Sequence, residues 1–213
     1  MARPDFGGIT RISDGLPGAG WTLSGTTGTM AAALAANSNV FTMRASTVST
    51  NLKAALITRV RLQFTTIQAF TTPVTAGRRL GLFKFTHASG ASNGNPSANN
   101  TNIVPVPNNA ADTSSVFTLV SATPEWASAD IATTAAMTMG SNMTVTATPL
   151  RVWNLTHLGA AGANDSVEWT FPTPIFLPNG TGITIQNPVQ MDGAAGTWHL
   201  AVSVDWQEVG TYT

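Results

Sequence analysis

The sequence predicts an all-β fold, a single sandwich or barrel, and three observations carry that expectation. Short segments alternate apolar and polar residues with period two, and they are rich in Val, Thr, Phe and Trp. Gly, Pro and Asn punctuate the chain between them, as the tight reversals of an antiparallel sheet require. No segment makes a long amphipathic helix.

Taken in order, "WTLSG" (21–25) and "NVFTMRA" (39–45) are the first strand candidates. "ALITRVRLQF" (55–64) follows, with Leu56, Val60, Leu62 and Phe64 set on one face against Ile57, Arg59, Arg61 and Gln63 on the other. "RRLGLFKF" (78–85), "SVFTLVS" (115–121) and "RVWNLTH" (151–157) have the same character. In "SVEWTF" (166–171), Val167, Trp169 and Phe171 would share a face. The Asn-Gly of "LPNGTG" supplies the positive φ of a tight turn before "GITIQN" (182–187). "GTWHLAVSVDWQEV" (196–209) closes the domain, with Trp198, Leu200, Val202, Val204 and Trp206 inward and His199, Ala201, Ser203, Asp205 and Gln207 outward. The best helical stretches are the alanine-rich "TMAAALAAN" (29–37) and "PEWASADIATTAAM" (124–137). Residues 88–112 are rich in Asn, Pro, Gly and Ser and predict one long surface loop. Residues 1–20 predict an extended arm that finds its partners elsewhere, leaving one β domain over 21–213.

Composition narrows the function. Charged residues make up 9% of the 213-residue chain, against roughly 25% in an ordinary soluble domain. Ten basic and ten acidic side chains cancel, so no broad positive field exists to hold a nucleic acid. With no cysteine, disulfides and thiolate metal sites are excluded. The start of the chain lacks the apolar run of a secretory signal, and "MAAALAA" (30–36) falls far short of the ~20 residues of a membrane span. A neutral, Thr/Asn/Ser-rich surface without an export signal suits a virus coat component, made in the host cytoplasm and released by lysis; a cytoplasmic protein with an unusually neutral surface fits both facts too.

The catalytic candidates fail on geometry. "GASNG" (90–94) matches the G-x-S-x-G of serine hydrolases, and Asp165 and His199 follow Ser92 in the appropriate order. That motif needs a strand turning sharply into a helix, and "NPSANNTN" cannot begin one. His199 and Asp205 share a strand face six residues apart, ~20 Å at ~3.3 Å per residue, whereas a dyad needs contact at about 3 Å. His87, His157 and His199 lack the close spacing of a local metal site, so no metal or other cofactor is expected. "GANDSVEW" lacks the repeated oxygen ligands of a calcium loop. Glu125, Glu168 and Glu208 are the glutamates open to a glycosidase role. Trp169, Trp198 and Trp206 belong to core faces, while Trp21, Trp126 and Trp153 remain open to stacking on a sugar. Arg59, Arg61, Arg78 and Arg79 concentrate on two successive strands; they form either a solvated face or a contact surface for acids of a partner or a symmetry mate.

"LITRVRLQFTTIQAFTTPVTAGRRLGLFKF" together with "FLPNGTGITIQNPVQMDGAAGTWHLAVSVDWQEV" resembles tailed-bacteriophage virion accessory proteins, over the central and C-terminal two thirds of the chain. The resemblance rests on pattern and composition. It implies a single antiparallel β-sandwich of jelly-roll type, with the arm and the long loop appended. It also implies a non-enzymatic capsid decoration or cement subunit that assembles with itself, often as a trimer, and with the major capsid protein or other virion proteins. In that setting Phe6, Ile9 and Ile12 would anchor the arm, and the arginines would add a second contact. The alternative is a tail or fibre component binding a host-surface glycan through residues 88–112 and exposed tryptophans.

Overall fold

A computed structural model of the chain describes residues 20–44, 53–72, 74, 76–87, 100–103, 105–107, 128–137, 143–178 and 180–210. These residues form thirteen strands and no helix. They are β1 (Gly20–Thr26), β2 (Met30–Ala31), β3 (Ser38–Arg44), β4 (Lys53–Gln68), β5 (Arg79–His87), β6 (Asn100–Asn102) and β7 (Val106–Pro107). The chain continues with β8 (Ser128–Ala132), β9 (Met143–Val145), β10 (Arg151–Asn154), β11 (Asn164–Leu177), β12 (Thr181–Asn187) and β13 (Thr197–Gly210).

They make two antiparallel sheets that do not close into a barrel. The first runs β11-β4-β13-β1-β7, with β2 beside the start of β13. The second runs β10-β5-β12-β3-β8-β6, with β9 beside the end of β5. One apolar core draws on both sheets. Phe64 of β4 lies at its centre, stacked on Trp198 of β13 at 5.2 Å and meeting Trp153 of β10 edge-on at 6.5 Å. Large aromatic areas removed from water in this way supply much of the driving force for closing one sheet over the other.

The closing strand follows its alternation. Trp198, Leu200, Val202, Val204 and Trp206 are each at most 2% exposed. Gly180 turns β11 into β12 at φ 78°, as the Asn-Gly signal predicts. In β4 the expected alternation slips. Ile57 is fully buried and Leu56 is only half-buried, the reverse of the expected phase. The cause is a bulge: Asp205 pairs with Arg59 but Trp206 pairs with Ile57, leaving Thr58 unopposed. One extra residue flips every side chain beyond it to the other face. Thr58 Oγ1 donates to the Asp205 carbonyl at 3.1 Å and pins the bulge. On the other side of β4, β11 shifts register at the same place, between Thr170 and Ile175. Pro172 and Pro174 sit within that shift, at a sheet edge where a missing N–H is tolerated.

Neither alanine-rich stretch is helical where it is described: 29–37 contains β2 and turns, and β8 occupies 128–132. Their few large apolar residues serve the sandwich: Met30 is buried against the core, as is Ile131 of β8. The expected loop 88–112 contains β6 and β7, and β7 extends the first sheet beyond β1. The strand expected at 115–121 and the arm up to residue 19 lie outside the described residues.

The two sheets present different outer faces. In β3 every residue from Asn39 to Arg44 is buried, and in β12 every residue from Gly182 to Asn187. Asn39 Oδ1 there accepts hydrogen bonds from Thr184 Oγ1 and Gln186 Nε2, both at 2.9 Å. The centre of the second sheet is thus covered on both sides. The outward residues of the first sheet, among them Ser24, Arg61, Gln63 and Glu168, are exposed.

Candidate functional site

Antiparallel register builds the open face of the first sheet in rows across four strands. Thr22, Asp205, Arg59 and Thr170 form one row. Ser24, Ser203, Arg61 and Glu168 form the next, and Thr26, Ala201, Gln63 and Ser166 the third. Directly paired residues bring their side chains within contact distance, so oppositely charged pairs can meet.

They do. Arg59 Nε donates to Asp205 Oδ2 at 2.6 Å, and its Nη2 reaches the same oxygen at 2.5 Å. Thr22 Oγ1 donates to Asp205 Oδ1 at 2.7 Å. Glu168 Oε2 lies 3.9 Å from Arg59 and 4.0 Å from Arg61. Arg61 Nη2 donates to Ser203 Oγ at 3.3 Å, which also accepts from Ser24 Oγ at 3.1 Å. Two arginines, two acids and three hydroxyls thereby form one network of zero net charge. Its depth varies. The Asp205 side chain is 10% exposed, whereas those of Arg59, Arg61 and Glu168 are 40–46% exposed.

Beside this network the face is concave. The side chains of Ala201, Ser203 and Ser24 are short, and those of Arg61, Gln63 and Glu168 are long. The difference leaves an open groove of about 550 Å³. That volume is within the usual range of small-ligand sites, which favour concave surfaces with a few converging polar groups.

The four arginines singled out in the sequence do not form one patch. Arg59 and Arg61 lie on the first sheet, while Arg79 is exposed on β5 of the second. Arg78 is buried: its Nε donates to the Met191 carbonyl at 2.6 Å, its Nη2 donates to the Thr72 carbonyl, and its guanidinium lies 4.8 Å from the Phe70 ring centroid. Arg59 and Arg61 need no acids from a partner, because strand register supplies Asp205 and Glu168 from the same chain. Phe6, Ile9 and Ile12 lie outside the described residues.

The tryptophan platform for a sugar does not form among the described residues. Trp21 is 1% exposed and Trp153 is 7% exposed, and both belong to the core with Trp169, Trp198 and Trp206; Trp126 lies outside the described residues. The remaining acids are scattered. Glu208 is buried on the inward side of β13, and Glu125 is outside the described residues. His157 Nε2 lies 3.3 Å from Asp165 Oδ2 at the surface, and His199 lies half-buried on the outer face. Ser92 is outside the described residues. Among the described residues, no group of three or more His, Cys, Asp or Glu is placed to hold a metal ion, and no helix is long and apolar enough to cross a membrane.

A second polar cluster holds loops together. Asp192, fully buried, accepts hydrogen bonds from the backbone N–H of Thr72 at 2.6 Å and of Ala194 at 2.8 Å. These bonds, the one from Thr72 foremost, lower its pKa to about 2 although burial pushes the other way. Arg78 and Asp192 thus grip Thr72 by its carbonyl and its N–H respectively.

Sequence reading missed Ser24, Gln63 and Ser203 as site residues. Their only signal was membership of the outward set of an alternating strand, which acquires meaning once the strands are laid side by side. No protein-family profile matches the chain, and no curated protein matches it in sequence.

Proposed function

We propose that the chain is a non-enzymatic structural subunit of a phage particle, a capsid decoration or cement protein built on a jelly roll. The observation that carries the reading is the nesting of the strand pairs. β1 pairs with β13, β3 with β12, β4 with β11 and β5 with β10, all antiparallel. Among these eight strands first pairs with last and each successive one with the next from the end, as in a long hairpin ribbon rolled up so that alternate segments enter opposite sheets. A double-sheet roll of this kind is an architecture of viral coat and lectin domains. The neutral, charge-poor composition supports the same reading, since surfaces that are desolvated in a permanent assembly carry few charges.

In this account the roll is a rigid platform and the N-terminal arm is the grip. Subunits associate, as a trimer or another closed oligomer, and each lays residues 1–19 across neighbouring capsid proteins, with Phe6, Ile9 and Ile12 as anchors. Each arm contact is modest, and several arms on one oligomer gain by effective concentration. Arg79, exposed on the second sheet, and the Arg59–Arg61 network on the first are further contact points. Removing residues 1–19 should leave a subunit with an unchanged far-ultraviolet spectrum and melting curve that no longer co-sediments with phage heads. Co-sedimentation undiminished by the deletion would rule out the arm as the grip.

A further inference from the structure

We propose that the groove on the outer face of the first sheet binds a neutral saccharide. This inference does not rest on the virion reading, because the groove belongs to the isolated subunit. The ligand class follows from the lining. Arg61 and the Gln63 amide donate, Glu168 and the Gln63 carbonyl accept, and the hydroxyls of Ser24 and Ser203 do both. A sugar ring, with hydroxyls that each donate and accept, matches a surface of mixed donors and acceptors.

Charged ligands match it poorly. A phosphate or carboxylate approaching Arg61 also meets Glu168, 4.0 Å from the Arg61 Nε, and Asp205, 4.0 Å from its Nη2. A cation meets Arg59 and Arg61. An apolar ligand would meet Leu62, Val167, Ala201 and Val202, but with the polar groups of Ser24, Arg61, Gln63, Glu168 and Ser203 set among them. At about 550 Å³ the groove is large enough for one or two sugar units. Among the described residues no aromatic ring lines it, so binding rests mainly on hydrogen bonds, and a dissociation constant of about 1 mM or weaker follows. Many copies displayed together would raise the effective affinity without any new contact.

The test is a ¹H–¹⁵N nuclear magnetic resonance titration of the full chain with glucose, galactose, mannose and N-acetylglucosamine, each to about 100 mM, two tenfold steps above a millimolar site. N-acetylneuraminic acid and inorganic phosphate serve as charged comparators. At least one neutral sugar should give saturable shifts at Gln63, Ser166, Ala201 and Ser203. Ala201→Leu, which fills the floor, should weaken that binding at least about tenfold. Gln63→Ala, at an exposed position, removes a wall and should weaken it too if the leucine variant fails to fold. The proposal is overturned if no neutral sugar gives saturable shifts at these residues or if only the charged comparators do. Binding mapped elsewhere, or unchanged in a folded variant, overturns it as well.

Discussion

Asp205 and Glu168 occupy the same polar network but differ in depth, and that difference sets what each contributes. Asp205 is mostly withdrawn from water and accepts from Arg59 and Thr22, so its loss strands two donors in a crowded place. Asp205→Ala should cost about 2 kcal/mol in urea unfolding, the scale of a hydrogen-bonded charge with little water access. Glu168 is half exposed and its contacts are long, so Glu168→Ala should change stability by less than about 0.5 kcal/mol. A second contrast concerns indoles. Trp198 Nε1 donates to the Ala31 carbonyl at 3.2 Å, whereas the buried Nε1 of Trp206 has no acceptor among the described residues. Both rings are at most 1% exposed, so replacement by phenylalanine removes similar volume at each. Trp198→Phe should therefore be the costlier by about 1 kcal/mol, since it alone forfeits a satisfied bond; equal costs would contradict the assignment. At this scale the sequence revealed the inward tryptophans of β13 but not Trp21 and Trp153, whose short flanking stretches gave no clear phase. It also could not reveal that Arg78 and Arg79, adjacent in the chain, point to opposite environments.

Among the elements, the strands with five or more residues of clean alternation were legible, and β13 is the fullest case. β4 was legible in extent but not in phase, because the bulge at Thr58 depends on the register of two neighbouring strands and leaves no local mark in "LITRV". β6, β7 and β9 have three residues or fewer and lie in stretches whose composition favours turns. Their pairing comes from the sheet edges they meet rather than from their own propensity. The segment Met191–Ala195 shows how a loop acquires fixed form. Asp192 turns back on Ala194 and clasps Thr72, while Arg78 holds Met191. Its lowered pKa gives this clasp a pH dependence. The carboxylate's contribution is complete above its ordinary value of 3.8 and is lost as pH falls through about 2. Thermal stability should accordingly decline between about pH 4 and pH 2. Asp192→Asn should lower stability at neutral pH and flatten that decline. A variant with the full acid slope would place the responsible group elsewhere.

At the scale of the whole molecule, the described residues form a two-sheet sandwich in which the centre of one sheet is covered and the other is open, and this asymmetry organises the proposed roles. An all-β sandwich was legible in the sequence because period-two patterns and turns recur along most of the chain. The nesting of its strands was not, because pairing the first strand with the last spans more than 180 residues and no local signal encodes it. The open groove was hidden for the same reason: its lining comes from four strands that are distant in sequence. Between β5 and β10 the chain makes an excursion that supplies β7 to the edge of the first sheet and β8 and β6 to that of the second. It widens both sheets beside β1 and β3. In the proposed coat role this breadth would help, since a wider platform spans more of its neighbours. The most direct measurement of that role is immunoelectron microscopy of phage particles carrying this chain, with an antibody raised against residues 20–213. Label distributed over the whole head and absent from the tail is the expected result. Particles without label, or label confined to the tail tip, would contradict it.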